Sequence, residues 1–130
     1  MEKRFKELPK TRIVMLGTSP YDETVQLKEG NLFKTKNETI KRIVEYQKES
    51  AAKNGWEFSD LNAPMVALNQ QFQQKDPAFT LCGSDRIHPD NDGHMVMAYL
   101  FLKAQGFVGK DVANMEINAN KKEAVKAENC

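Results

Sequence analysis

The sequence predicts an α/β fold, in which helices cover a parallel β-sheet. The first observation is a short apolar run at residues 12–17, bounded by turn-forming residues. A continuous run of this kind fits a strand that is buried on both faces, as in a parallel sheet. The second observation is a helical segment, 36–54, that leads into another strand candidate at 56–61. Helix followed by strand, twice over, is typical of a layered α/β fold.

The first helices follow from local pattern. Residues 2–8 fit the last turns of a helix that Pro9 closes, and a polar loop follows the first strand to about residue 35. The segment 36–54 places one mostly apolar stripe along a helix. Gly55 is well placed to end that helix in the left-handed conformation. The stripe consists of Ile40, Ile43, Val44, Gln47 and Ala51.

A further helix is predicted from Pro64, because proline suits the first helical position. Asp76 and Pro77 stop this helix. Its buried side is expected to hold Met65, Leu68 and Phe72, and the second strand is expected to place Trp56 and Phe58 in the core.

The last clear helix is predicted over 92–105, after a polar loop at 82–91. Asn91 or Asp90 caps its start and Gly106 ends it. Its expected core face consists of Met95, Ala98, Tyr99 and Leu102. Residues 113–118 and 124–128 then fit a weak hairpin across 119–122.

Composition limits the functions that the chain can have. Its 130 residues, 40% hydrophobic, suffice for one small domain. The net charge of +1 comes from 19 basic and 18 acidic residues, so no nucleic-acid partner is expected. No apolar run approaches the roughly 20 residues of a membrane span. Cys82 and Cys130 are too few and too far apart for a disulfide framework or a zinc site, so unpaired thiols are expected.

The compartment depends on whether the chain is whole. Residues 1–5 lack the apolar stretch of a secretory signal, so a complete chain is expected to be cytoplasmic. If the full-length protein carries a signal peptide elsewhere, it is expected to be secreted or periplasmic.

Asp85 and His88 are the candidate catalytic residues. They lie three residues apart on the polar loop, and Pro89 stiffens the backbone after them. At that spacing the carboxylate can reach the Nδ1–H group of the imidazole and stabilise the imidazolium that forms when Nε2 takes a proton. The pattern also occurs by chance, and the alternative is a surface histidine without chemistry.

Two further sets of polar residues are candidates for a functional role. Tyr21 and Asp22 follow the first strand, where α/β folds bind ligands, so they are candidate substrate contacts, with loop packing as the alternative. His94 is expected to be structural, because its spacing of six from His88 matches no common helical metal pair. The alternative is a small metal-binding protein that uses Asp85, His88, Asp90, Asp92 and His94.

Three segments resemble SGNH/GDSL-type serine hydrolases. Residues 85–89, Asp-Arg-Ile-His-Pro, followed by Gly93-His94 and an apolar helix, resemble the fifth sequence block of that family. Residues 13–22 resemble its fourth core strand and following loop, in the branch of carbohydrate acetylesterases. Residues 60–65 resemble the end of its fifth strand. The resemblance extends from about residue 1 to Gly106.

The resemblance implies a three-layer α/β/α sandwich of flavodoxin-like topology. It implies hydrolysis of an ester, such as an O-acetyl group on a carbohydrate or a small molecule, by a Ser-His-Asp mechanism. His88 would be the general base and acid, Asp85 would orient it, and no metal or other cofactor would be needed. Residues 1–106 would belong to the hydrolase domain, and residues 107–130 would begin a β-rich extension.

Several parts of the family pattern do not occur in this sequence. The family takes its nucleophile from a Gly-Asp-Ser block after its first strand, and its oxyanion hole from that serine, a glycine and a Gly-x-Asn block. Ser84 does not follow the first strand and cannot be matched to the nucleophile. We therefore expect an incomplete domain whose missing N-terminal half supplies the serine, either upstream in the same protein or as a partner, and no turnover by the chain alone. The alternative is a non-catalytic remnant or binding module of the same fold.

Overall fold

Helices and short strands alternate along the chain in a computed structural model that describes residues 2–5, 7, 10–28, 30, 32–111 and 113–128. The predictions that concern Pro9 and Cys130 lie outside these residues. The elements are α1 (Glu2–Phe5), β1 (Val14–Leu16), α2 (Lys36–Asn54), β2 (Glu57–Ser59), α3 (Asn62–Gln73), α4 (Asn91–Ala104), β3 (Asn114–Asn118) and β4 (Glu123–Glu128).

β1 and β2 form a parallel two-stranded sheet, in which Val14 pairs with Glu57 and Leu16 with Ser59. Backbone hydrogen bonds continue the ladder at both ends, from Glu57 N to Ile13 O at 3.1 Å and from Gly17 N to Ser59 O at 2.8 Å. The strands are shorter than predicted because each has one neighbour within the described residues. The mixed helix and strand content, with its small sheets, is consistent with an α/β fold, and the complete sandwich stays a prediction.

α2 connects the two strands and packs against both. Ile40, Val44 and Ala51 are buried, as predicted, but Ile43 is exposed. A sheet of two strands covers a narrow stripe of the helix, which explains why Ile43 lies outside it. The helix ends as predicted, since Gly55 has φ 68° and its N–H contacts the carbonyl groups of the last turn.

α3 begins at Asn62, two residues before the predicted start. The Asp60 carboxylate accepts hydrogen bonds from Asn62 N at 2.8 Å and Ala63 N at 3.3 Å, which caps the earlier start. Pro64 is tolerated there because N–H groups of the first turn have no partner within the helix. Met65 is fully buried and Leu68 is half-buried, but the prediction for Phe72 was wrong: it is 46% exposed, and its ring centroid lies 4.9 Å from that of Phe79.

The predicted core face of α4 was wrong. Met95, Tyr99 and Leu102 are 73%, 50% and 47% exposed, and Ala98 is exposed as well. The opposite face packs instead, with Val96, Met97 and Leu100 against the buried cluster of Leu61, Met65 and Leu81. Both faces of this helix are apolar, so the spacing of apolar residues in the sequence does not indicate which face is buried.

A second buried cluster consists of Tyr21, Ile40 and Val44, with Phe58 and Ile87 packed at its border. Trp56 and Phe58, predicted in the core, are only half-buried. Trp56 precedes β2 and Phe58 belongs to it, and β2 has one neighbouring strand among the described residues. The rings of Trp56 and Phe5 form a T-shaped pair, with their centroids 5.3 Å apart and their planes at 85°. Within the described residues, no helix is both long and apolar enough to cross a membrane.

The predicted hairpin is present at the end of the described chain. β3 and β4 pair antiparallel, from Asn114 opposite Glu128 to Asn118 opposite Glu123, with an irregularity between Glu116 and Ile117. Its residues are exposed except for half-buried Asn118. The division into residues 1–106 and 107–130 stays a prediction.

Candidate active site

The loop that carries Asp85 and His88 is a tight turn closed at its base. Cys82 and Pro89 form an antiparallel bridge, and Gly83 N donates to His88 O at 2.7 Å. Arg86 N donates to Gly83 O at 2.9 Å, and Arg86 itself has φ 67°. α4 follows directly, capped by Asp90, whose carboxylate accepts from Gly93 N at 3.1 Å. The loop is thereby fixed between the core and the start of a helix.

The structure brings Asp85 and His88 into contact, with Asp85 Oδ2 against His88 Nδ1. Oδ1 of the same carboxylate accepts from His88 N at 3.0 Å and from Ile87 N at 3.1 Å. The side-chain contact with His88 and these two backbone donors lower the pKa of Asp85 from 3.8 to about 2. Asp85 is therefore an anion that orients the imidazole through Nδ1.

The His88 side chain points into solvent and is 83% exposed, and that of Asp85 is 51% exposed. Among the described residues, no side chain makes a hydrogen bond with Nε2 of His88. The nitrogen opposite the carboxylate therefore faces solvent in the part of the chain that the structure describes. The catalytic role of the pair stays a prediction.

Tyr21 is buried in the first core cluster rather than exposed on a loop surface. Its hydroxyl accepts from Phe33 N at 3.0 Å, and its backbone N–H donates to Asn37 Oδ1 at 3.2 Å. The ring also lies 4.5 Å from Lys36 Nζ. These contacts connect the segment after β1 to the start of α2.

Asp22 is buried beside Tyr21, and its carboxylate accepts several hydrogen bonds. Oδ1 accepts from the backbone and hydroxyl of Thr24 and from Val25 N, and Oδ2 accepts from Gln73 Nε2 and Thr80 Oγ1. Both Tyr21 and Asp22 also line a polar cleft of about 130 Å³, with Asn37, Lys41, Asn69 and Gln70. Their role as substrate contacts stays a prediction, and the packing role is visible in these bonds.

In the described part of the chain, no group of three or more His, Cys, Asp and Glu residues is placed to hold a metal ion. The metal-binding alternative therefore has no assembled site among these residues. His94 is turned to its own helix, with Nδ1 at 2.8 Å from Asp90 O. Cys82 is a free, buried thiol. Burial and the nearby Asp22 raise the pKa of Cys82 to about 12, so it is not a nucleophile at neutral pH.

Arg86 was missed by sequence reasoning. It lies between Asp85 and His88, and its side chain is buried, with Nη1 at 2.7 Å from Val25 O and 3.3 Å from Asp22 O. An arginine in a polar loop is ordinarily exposed, so composition gave no signal for its burial.

The sequence is similar to one segment of a solved enzyme. A gut microbial diltiazem-metabolizing enzyme is 84% identical to this chain, with a TM-score of 0.83. The match covers 98% of this chain and 29% of the chain of that enzyme. This chain therefore spans less than a third of the protein that it matches. No protein-family model matches the sequence, and no curated protein does.

Proposed function

We propose that this chain is the C-terminal part of an SGNH/GDSL-type serine hydrolase that cleaves acetyl esters. The observation that carries the proposal is the contact between the Asp85 carboxylate and His88 Nδ1, which leaves Nε2 open to solvent. A carboxylate on one ring nitrogen and a free second nitrogen are the geometry of a general base. The nucleophilic serine is supplied by a segment outside this chain.

The mechanism divides the roles between the two side chains. His88 Nε2 takes the proton of the serine hydroxyl while the serine oxygen attacks the ester carbonyl carbon. Asp85 stabilises the imidazolium that results, through Nδ1. His88 then returns the proton to the departing alcohol, which leaves an acyl-serine. Water attacks this acyl group in the same way, which releases the acid and restores the serine.

The proposed substrate class is the acetyl ester. The similar solved enzyme metabolizes diltiazem, a molecule that carries an acetyl ester among its functional groups. The resemblance of residues 13–22 to carbohydrate acetylesterases also indicates cleavage of an acetyl ester, in this case one whose alcohol is a sugar. A small-molecule or carbohydrate O-acetyl group is therefore the substrate that we propose, and the reaction needs no metal or other cofactor.

The three-layer sandwich belongs to the same proposal. β1 and β2 would be two strands of a larger parallel sheet, and the exposed face of α4 would be covered when the remaining strands and helices are present. Residues 1–106 would complete the hydrolase domain, and 107–130 would begin the β-rich extension. The serine and the oxyanion donors would arrive with the same N-terminal half.

The test is a graft, in which this chain replaces the matched segment of the solved enzyme. We expect the graft to hydrolyse p-nitrophenyl acetate and to release acetate from diltiazem, whereas the chain alone is inactive. His88→Ala should lower kcat by about 10⁴-fold or more. His94→Ala is the matched control and should change kcat less than about twofold, because its ring is turned to its own helix.

The proposal fails if the His88→Ala graft keeps its esterase activity while it remains folded. That outcome would favour the non-catalytic remnant or binding module, in which His88 is a surface residue.

A further inference from the structure

We propose that Arg86 is a positioning residue, which keeps Asp85 and His88 in their positions relative to the core. It does so by clamping their loop to the segment 20–25 through hydrogen bonds. The inference rests on the proposed function, since it concerns how the same two side chains are placed. Arg86 occupies the position directly after Asp85 and two residues before His88. Any shift of its backbone therefore moves both members of the pair.

Arg86 fastens the loop by its backbone and by its side chain. Its carbonyl oxygen accepts from Asp22 N at 2.8 Å. Its guanidinium Nη1 donates hydrogen bonds to Val25 O at 2.7 Å and to Asp22 O at 3.3 Å. All three bonds end on the same short segment, so the loop is held at its midpoint as well as at its base.

The segment that receives Arg86 is itself rigid. The Asp22 carboxylate is fixed by Thr80 Oγ1 at 2.7 Å and Gln73 Nε2 at 3.0 Å. Tyr21, next to it, belongs to the buried cluster with Ile40 and Val44. Ile87, next to Arg86, packs against that cluster. The clamp therefore connects the exposed Asp85–His88 pair to the core through two adjacent residues.

Two unfavourable features meet at Arg86 and favour a positioning role over a purely stabilising one. The backbone has φ 67°, a conformation that side-chain-bearing residues rarely adopt. Arg86 as a whole is only 4% exposed, and its buried Nε has no hydrogen-bond partner among the described residues. Local strain and a buried, incompletely paired charge are retained where the surrounding structure fixes a geometry.

The experiment has one arm on the chain itself. In Arg86→Met, whose side chain keeps the length and loses the donors, we expect the pKa of Asp85 to rise from about 2 toward its ordinary 3.8, because a loop released from the segment 20–25 weakens the contacts with His88 and Ile87 that lower this pKa. The measurement is a carbon-detected NMR titration of the carboxyl groups. Arg42→Met, which replaces an exposed arginine on α2, is the matched control and should leave that pKa unchanged.

The second arm is kinetic and uses the graft into the solved enzyme. Arg86→Met should lower kcat about 10- to 100-fold, with KM changed less than about threefold, because the pair is displaced while the substrate pocket is kept. Arg86→Lys keeps the charge, but its side chain is shorter and cannot place a nitrogen where Nη1 contacts both carbonyl groups, so it should restore only part of the loss. If Arg86→Met does not fold, Arg86→Lys carries both arms and is expected to raise the Asp85 pKa and lower kcat by smaller amounts.

The inference is overturned if a folded Arg86 variant keeps the Asp85 pKa at about 2 and kcat unchanged. A loss of global stability with an unchanged Asp85 pKa would also overturn it, because that is the result of a structural role alone. If His88→Ala leaves the graft active but Arg86→Met still raises the Asp85 pKa, the proposed function fails and the clamp stands.

Discussion

Single substitutions can test how the contact with His88 affects the pKa of Asp85. The contact with His88 is the largest cause of the low pKa of Asp85, ahead of the backbone donors His88 N and Ile87 N. In His88→Ala we therefore expect the pKa of Asp85 to rise from about 2 toward its ordinary 3.8, without reaching it, because the backbone donors remain. Carboxyl NMR titration measures this, and His94→Ala should cause no change.

The direction of the pH dependence follows from the same shift. Because the pKa of Asp85 is lower in the folded loop than its ordinary 3.8, its ionised form stabilises that loop above about pH 4. This contribution is lost as the pH falls through about 2. The amide protons of Ile87 and His88, which donate to Asp85, should lose protection from exchange in that window, measured relative to their intrinsic exchange rates at each pH. Unchanged protection between about pH 4 and about pH 2 would contradict the assignment.

Asp22 supports the site through a buried carboxylate, and Asp22→Asn should destabilise the fold. The amide would place an NH₂ group opposite Gln73 Nε2, and Gln73 cannot turn without releasing its bond of 2.9 Å to Phe79 O. We expect a loss of about 1.5–3 kcal/mol in the free energy of unfolding, measured by urea denaturation. Asp111→Asn, at an exposed position, should change it by less than about 0.5 kcal/mol.

The sequence predicted the Asp85–His88 contact because both residues lie on one short turn. On such a turn, the separation along the sequence determines which side chains can meet. It could not predict the burial of Asp22 and Arg86. Their partners are far away in the chain, with Thr80 58 residues from Asp22 and Val25 61 residues from Arg86. Contacts of that range depend on how the elements pack, and no local pattern carries that information.

At the scale of elements, helix ends were easier to predict than helix faces. The left-handed end of α2 at Gly55 and the Asp90 cap of α4 follow from a few neighbouring residues. The buried face of α4 depends instead on what lies beside it. Its sequence offers two apolar faces, and only the face with Val96, Met97 and Leu100 meets the core. The periodicity of apolar residues alone therefore could not identify the buried face of α4.

Gly93 is the residue that lets α4 approach the active-site loop. A Cβ at this position would lie 2.1 Å from Leu81 O and 2.8 Å from Pro89 Cβ. Although alanine is the better helix former, we expect Gly93→Ala to lower the free energy of unfolding by about 1–3 kcal/mol, because a backbone carbonyl cannot give way easily.

Gly83→Ala is the matched control in the same region, since its Cβ would meet His88 O only at an ordinary 3.5 Å. The comparison is made by thermal and urea unfolding of the two variants. Equal stability of both variants would show that the close approach at Gly93 does not hold the helix in place.

At the scale of the whole molecule, the described chain leaves apolar surface open. The outer face of α4 presents Met95, Tyr99 and Leu102, and β1 exposes Leu16. Contiguous apolar surface of this kind drives association. We expect the isolated chain to self-associate with rising concentration in sedimentation velocity experiments, and replacement of Met95, Tyr99 and Leu102 by Gln to reduce this.

The inner face of the same helix provides the control for that prediction. Gln at Val96 and Leu100 should unfold the chain rather than improve its behaviour, because these side chains pack against Leu61, Met65 and Leu81. A wild-type chain that stays monomeric at all concentrations would contradict the view that a larger domain covers this surface.

The most direct test of the central claim is a double-mutant cycle on acetyl ester hydrolysis in the graft. If Asp85 acts through His88, Asp85→Ala lowers kcat on the order of 10³–10⁴-fold, His88→Ala lowers it further, and the double variant is no slower than His88→Ala alone. If the two losses multiply instead, or if neither substitution slows a folded graft, Asp85 and His88 do not work as one catalytic unit.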